Sequence, residues 1–274
     1  ALEELHVSLE RWEQLGETLR QRLELCSAPV EEQTAIKFRL AKVLQGHLDG
    51  TAEAVDLYRQ TLDELPEHDG ARESLEGLLQ DGEHGREAAA ILAPHYERAG
   101  GWEALVGALE VLAAGEEDPE TRLATLTRIG QVTGGPLADQ VRSFDAFLRA
   151  LEARPGDEAT LVQLETLAIE QERFGDLVER IAQLAGSQDD PGLSRRLNFK
   201  AAEIYATQMG EMDGAVAAYH KILEVDSGDT EVLGRLETLY RVRERWEDLL
   251  GVLRSRVDLA SVPEDKEAIL GQMA

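Results

Sequence analysis

The chain has 274 residues, of which 54 are acidic and 28 basic, and its formal net charge is −26. This charge disfavours direct binding of nucleic-acid phosphates or of an anionic membrane surface, because both require clustered lysine and arginine. Aromatic residues make up only 5% and there are eight prolines, so a core of Leu, Ala and Val in an all-α fold is expected.

Cysteine and histidine usage argues against a metal or redox function. Cys26 is the single cysteine, which rules out an internal disulfide and a thiolate metal cluster and favours a reducing compartment. The six histidines lack the i, i+4 spacing of a helical metal site, and no stretch approaches the ~18 apolar residues of a membrane span. We therefore expect a cytoplasmic protein with no metal, no cofactor and no membrane insertion.

Two short motifs recur along the chain. The motif Leu-Glu-x-Leu begins at Leu2, Leu75, Leu164 and Leu236. An aromatic-x-x-Leu motif follows each copy and begins at Trp12, Trp102, Phe174 and Trp246. The interval between the last two copies is the same for both motifs, and it also separates Trp102 from Phe174. This period of about 72 residues, roughly twice the length of a helical hairpin, is typical of a solenoid.

Each unit of this period predicts four helices. In residues 190–260 the first begins after Asp190, where Pro191 occupies the first turn, and it ends before Gly210. The second ends near Gly228, the third carries Leu236, and the fourth begins at Trp246. The same pattern recurs in two earlier stretches of the chain, which predicts about 15–16 helices arranged as antiparallel hairpins.

The first two units are out of step with the later ones, because the interval from Trp12 to Trp102 is longer than that from Trp102 to Phe174. The surplus of roughly 18 residues, enough for one helix and its connection, maps to residues 86–99. Apolar residues at helical spacing there predict one extra helix. Pro94 lies inside it and is expected to kink or divide it. This irregular segment is either a special surface or a tolerated insertion.

A further pattern of small and aromatic residues identifies a family resemblance. Its three copies are Ala41, Ala54, Tyr58, Thr61 and Pro66; Gly130, Ser143, Phe147, Ala150 and Pro155; and Ala202, Ala215, Tyr219, Ile222 and Ser227. The spacing resembles that of the tetratricopeptide repeat, although the turn between the paired helices is one residue longer. The resemblance implies a right-handed superhelical solenoid over residues 1–274, which we expect to be a fragment of a longer array. The double-length unit also resembles those of very large repeat proteins of myxobacteria, some tied to motility.

The resemblance implies a concave groove lined by the first helix of each hairpin. One position in these helices is basic in every complete copy, at Arg39, Arg128 and Lys200, and we call these residues the basic row. Lys42, Arg196 and Asn198 accompany the row as candidate contacts for a partner. An unpaired row would suit an acidic peptide or a carboxylate. In the alternative, each cation pairs with a glutamate of a neighbouring helix, such as the recurrent Glu of Leu-Glu-x-Leu.

The sequence thus favours a non-catalytic scaffold that binds a peptide or helix of another protein. No constellation of catalytic residues stands out, and we expect no enzymatic activity. The alternative is a structural spacer within a giant repeat protein of a bacterial motility or envelope-associated machine. Self-association through the ends of the array is a further expectation, and the three tryptophans are interpreted as buried packing anchors.

Overall fold

The computed structural model describes residues 2–25 and 29–273. In these residues there are sixteen α-helices and one π-helical turn, and no β-strand. The expected all-α fold of about 15–16 helices is confirmed. Cys26 lies outside the described residues.

Consecutive helices follow one another through short connections. The first eight are α1 (Leu2–Ser8), α2 (Trp12–Glu24), α3 (Val30–His47), α4 (Thr51–Glu64), α5 (Asp69–Glu76), α6 (Gly85–Ala99), α7 (Trp102–Ala114) and α8 (Pro119–Gly134). The remaining ones are α9 (Gln140–Ala153), α10 (Glu158–Gln171), α11 (Phe174–Gly186), α12 (Pro191–Ile204), α13 (Met212–Val225), α14 (Thr230–Val242), α15 (Trp246–Leu259) and α16 (Pro263–Gln272). The π-helical turn, Tyr205–Met209, directly follows α12.

The helices form two compact units, of which the first extends to Ser143 and the second begins at Phe144. In the first unit α3 packs on α4 and α6 packs on α7, around fully buried side chains such as Leu40, Tyr58 and Leu92. In the second unit α12 packs on both α11 and α13, and Leu164 and Leu236 are fully buried. Leucine and small residues therefore form the cores, as the composition predicts.

Aspartates cap the N-termini of five of the described helices. The side chains of Asp118, Asp139, Asp157, Asp190 and Asp229 accept hydrogen bonds from backbone N–H groups in the first turns of α8, α9, α10, α12 and α14. Such a cap satisfies an N–H group that has no partner within the helix and places a negative charge at the positive end of the helix dipole. These residues determine where each helix begins.

A left-handed residue follows each helix that precedes an aromatic motif. The φ angles of Glu10, Gly100, Glu172 and Glu244 are 53°, 71°, 56° and 54°, and each residue lies two positions before the aromatic residue. Because α6 ends at this point, it occupies the place that α10 and α14 occupy in later units. The segment 86–99 is therefore helical, and by this register the short helix α5 is the additional element. Helix α6 continues through Pro94 and is not divided there.

The aromatic motifs bury their leucine more completely than their aromatic residue. The leucines at positions 15, 105, 177 and 249 are all buried, whereas Trp246 is 56% exposed. Trp12 is half-buried and stacks on His47, with 3.7 Å between the ring centroids. The aromatic residue begins each helix, and the leucine one turn later faces the core. The interpretation of the tryptophans as buried anchors is therefore wrong for Trp246.

We expect Trp246→Ala to lower the free energy of unfolding by no more than about 1 kcal/mol, because an exposed side chain leaves little cavity behind. Leu249→Ala, one turn along the same helix, is the matched comparison and should cost about 2–5 kcal/mol. Chemical denaturation of the two variants measures both values. A larger loss for the tryptophan than for the leucine would contradict this account of the motif.

Candidate functional site

Each cation of the basic row forms an ion pair with a glutamate. Arg39 Nη1 lies 2.5 Å from Glu3 Oε2, Arg128 pairs with Glu97, and Lys200 pairs with Glu165. Pairs of this kind at a partly exposed surface contribute only about 0–1 kcal/mol each to stability. Their main consequence is that the positive charge of the row is balanced within the chain.

The recurrent glutamate of the Leu-Glu-x-Leu motif supplies two of these partners, Glu3 and Glu165. Its copy in α14, Glu237, binds Arg241 at 2.8 Å and also Arg256. In α6 the corresponding position is Ala93, which precedes the left-handed Gly100 by the same interval as Glu165 precedes Glu172. Arg128 therefore pairs with Glu97, which lies on α6 one turn after Ala93.

The glutamate of the Leu75 copy has a different role. Glu76 Oε1 accepts a hydrogen bond of 2.7 Å from the hydroxyl of Tyr96. Burial and the neighbouring Glu76 carboxylate raise the pKa of the tyrosine well above its usual range. This bond links the additional helix α5 to α6, so Glu76 has a structural role.

Two of the predicted contact residues remain exposed and without an ion pair. Lys42 on α3 and Arg196 on α12 make no ion pair with any residue in the described ranges. Lys42 borders a shallow hollow of the first unit together with Trp12, Val43 and His47. Arg196 borders a deeper pocket of the second unit. These two cations are free to contact another molecule.

Asn198 lies inside the second unit and not at its surface. Its side chain is 5% exposed, and Nδ2 donates a hydrogen bond of 3.0 Å to the carbonyl oxygen of Ser194. Its Oδ1 has no hydrogen-bond partner among the described residues. On α12 it faces away from Arg196, since two positions along a helix differ by about 200°.

The pocket beside Arg196 lies between the α9–α10 connection, α10 and α12, and encloses about 290 Å³. Its apolar lining consists of Pro155, Gly156, Leu161, Val162, Leu193 and Leu197. Its charged lining consists of Arg196, Lys200 and Glu158. Val162 is 58% exposed, so an apolar surface is accessible to solvent here. We call this site the Arg196 pocket.

A bidentate ion pair on α12 was not anticipated from the sequence. Arg195 Nε lies 2.5 Å and Nη2 3.2 Å from the carboxylate oxygens of Asp229, and Nη2 is 2.8 Å from Glu231. The guanidinium holds the pKa of Asp229 below its usual range, and the two carboxylates raise the pKa of Arg195. A capping aspartate ahead of Thr230 is visible in the sequence, but its arginine partner on a different helix is not.

Other classes of site do not appear within the described ranges. No group of three or more His, Cys, Asp or Glu side chains could hold a metal ion there. No described helix is both long and apolar enough to cross a membrane. Large apolar side chains are exposed in α1, at Leu2 and Leu5, and in α16, at Leu270. Self-association through such surfaces remains a prediction.

Helical hairpins whose basic row is paired with glutamates, and an apolar pocket beside the unpaired Arg196, define the described part of the chain as an all-α repeat protein with a candidate binding surface. No protein-family model matches the sequence, and no curated protein is similar to it. Among solved structures, the chain is similar to tetratricopeptide-repeat proteins of bacteria, as the sequence predicts.

Three such structures illustrate the similarity. The C-terminal part of a TPR repeat-containing protein from Cytophaga hutchinsonii is 13% identical, with coverage of 85% of this chain and 97% of that chain and a TM-score of 0.32. A thermophilic TPR protein of Thermus thermophilus is 21% identical, with coverage of 75% and 98% and a TM-score of 0.27. The Pseudomonas aeruginosa protein PilF is 13% identical, with coverage of 83% and 96% and a TM-score of 0.33. At these identities and scores the likeness carries no conclusion about function.

Proposed function

We propose that the chain is a non-catalytic module that binds a segment of another protein. The observation that carries this proposal is the Arg196 pocket, where an unpaired, exposed cation borders an accessible apolar surface. Protein interfaces combine a buried apolar anchor with polar groups at the rim, and arginine is enriched among the residues that dominate binding. A strongly acidic exterior keeps such a module soluble and disfavours non-specific contacts with other acidic molecules.

The basic row has a different role in this proposal from the one that its spacing first suggests. Arg39, Arg128 and Lys200 are each engaged by a glutamate of the chain, so a partner would have to displace that glutamate to reach them. Lys42 and Arg196 need no such displacement. We therefore propose that a partner contacts an unpaired cation of this kind, Lys42 in the first unit or Arg196 in the second, and that the ion pairs of the row hold neighbouring helices in position.

One specific observation favours the second candidate function, a structural spacer. Pairing of the whole basic row is what a spacer without a ligand would show, since its charges serve only to balance one another. The binding function and the spacer function differ at the Arg196 pocket. The binding function requires a partner to contact the exposed apolar pocket and its unpaired cation, whereas the spacer function requires no such contact.

Affinity capture with the immobilised chain from an extract of the cells that produce it separates the two candidates. We expect specific proteins, identified by mass spectrometry, to be retained by the unaltered chain and lost with the double variant Val162→Glu, Arg196→Ala. The control variant is Arg39→Gln, which removes a paired cation and should leave capture unchanged. Retention of the same proteins by the double variant, or of none by the unaltered chain, would support the spacer and contradict the binding function.

A further inference from the structure

The Arg196 pocket is built by departures from the chain's own repeat. At the position of Arg196, the corresponding first helices all carry alanine, namely Ala35, Ala124 and Ala268. At the position of Leu193 they carry Glu32, Thr121 and Asp265. At the position of Val162, α6 and α14 carry Ala90 and Gly234. Helix packing in this repeat therefore requires none of these three side chains.

The three departures converge on one place. Leu193, Arg196 and Val162 all line the same pocket, although Val162 belongs to α10 and the other two to α12. Gly156 allows this approach, because a Cβ atom added there would lie 3.3 Å from Leu193 Cδ1 and 3.9 Å from Arg196 Nη2. One polar position has thus become leucine, one small position has become valine and another small position has become arginine, all around a single cavity.

The size and charge of the cavity indicate what it holds. A volume of about 290 Å³ is near the lower end of the ~300–1,000 Å³ of small-molecule sites, so the cavity has room for an aliphatic side chain together with a neighbouring polar group. The guanidinium of Arg196 is a donor for a carboxylate. Lys200 is already paired with Glu165, and Glu158 adds a negative charge to the rim, so Arg196 is the group that attracts an anion.

We propose that the Arg196 pocket binds an aliphatic side chain of a partner segment that carries a carboxylate one or two residues away. The inference rests on the proposed function, since it specifies which segment of another protein is recognised. The aliphatic side chain contacts Val162, Leu193 and Leu197, and the carboxylate accepts hydrogen bonds from Arg196. The carboxylate belongs either to an acidic side chain or to a chain terminus, which present the same chemistry.

Titration of the whole chain with short peptides, followed by NMR of its methyl groups, tests this proposal. The probe is acetyl-Leu-Asp-amide, and we expect it to shift the methyl signals of Val162 and Leu193 in a saturable manner. Acetyl-Leu-Asn-amide removes the carboxylate, and acetyl-Gly-Asp-amide removes the aliphatic side chain. Each should bind about fivefold or more weakly, as expected for the loss of a charge-assisted hydrogen bond or of the buried side chain. Acetyl-Leu-Gly with a free C-terminus supplies a terminal carboxylate one residue after the leucine and distinguishes the two sources.

Two variants introduce the residues that the chain carries at the equivalent positions of another repeat. Arg196→Ala and Leu193→Thr reproduce the residues of α8, so both should fold with unchanged helicity. We expect Arg196→Ala to abolish the preference for acetyl-Leu-Asp-amide over acetyl-Leu-Asn-amide, and Leu193→Thr to weaken both peptides. Glu158→Gln should strengthen binding of the acidic peptide by removing a like charge.

Equal binding of all the peptides, or shifts confined to methyl groups outside the pocket, would overturn the proposal. If proteins are captured by the chain while no peptide shifts the pocket methyls, the pocket assignment fails and the binding function stands. If the peptides bind as expected while no protein is captured, the assignment of the pocket chemistry stands and the binding function fails.

Discussion

Replacement of Leu164 by alanine is expected to lower the free energy of unfolding by about 2–5 kcal/mol. Leu164 is fully buried in the core of the second unit, where truncation removes apolar contacts and leaves a cavity that surrounding helices fill only in part. Its counterpart in the next copy of the motif, Leu236, is equally buried, so Leu236→Ala should show a loss in the same range. Urea unfolding monitored by circular dichroism measures both.

The matched control is Val162→Ala, two residues before Leu164 on the same helix. Because Val162 is largely exposed, this substitution should change the free energy of unfolding by no more than about 0.5 kcal/mol. Comparable losses at positions 162 and 164 would mean that α10 presents a different face to the core. The assignment of the Arg196 pocket to the solvent-facing side of α10 would then be wrong as well.

Replacement of Asp229 by alanine is expected to cost about 2–3 kcal/mol. The carboxylate caps α14 by accepting a hydrogen bond of 3.1 Å from Val232 N, and loss of a cap costs about 1 kcal/mol. It also binds Arg195 through two hydrogen bonds, which adds about 1–2 kcal/mol. The contribution of the ion pair to the free energy of unfolding stays small because the Arg195 side chain is 36% exposed and solvent screens the pair. Thermal and urea unfolding both measure the loss.

Two comparisons separate the cap from the ion pair. Asp118→Ala removes a cap that accepts from Thr121 N at 2.8 Å, and it should cost less than Asp229→Ala because no arginine in the described residues pairs with Asp118. Asp229→Asn keeps an oxygen for Val232 N–H and loses the charge, so its cost should lie below that of Asp229→Ala. Equal costs at positions 118 and 229 would contradict a stabilising role for Arg195.

The pH dependence follows from the lowered pKa of Asp229. A carboxyl group whose pKa is lower in the folded chain stabilises it above its unfolded pKa, about 3.9, and this contribution is lost as the pH falls towards the folded value. The stability difference between the unaltered chain and Asp229→Asn should therefore be constant above about pH 5 and shrink below about pH 4. A difference that grows on acidification would show that Arg195 does not hold this carboxylate.

The fold could be predicted from the sequence because a helical repeat is encoded locally. Apolar residues at helical spacing, Asp190 before Pro191 and glycines such as Gly210 mark where the helices begin and end. Packing between neighbouring helices follows the same period, so a few aligned positions predict the whole pattern. The all-α class and the number of helices depend only on such local signals.

Features that depend on tertiary partners could not be predicted in the same way. Trp246 carries the same motif as Trp12, but its exposure depends on what packs against it and not on the motif. The basic row is visible in the sequence, whereas its pairing requires knowing which glutamate lies across the helix interface. Arg128 illustrates this, since the regular position holds Ala93 and the arginine pairs with Glu97 instead. The pocket depends on Val162 and Arg196, which come from separate helices.

We expect another protein to contact this chain at the Arg196 pocket, and site-specific photo-cross-linking tests this contact most directly. A benzophenone amino acid is placed at position 162, and in a separate variant at Val225, which is 70% exposed and lies outside the pocket. We predict covalent adducts in a cell extract from position 162 alone, joined to a segment that contains an aliphatic residue next to a carboxylate. Absence of adducts from position 162, or identical adducts from both positions, would contradict the account.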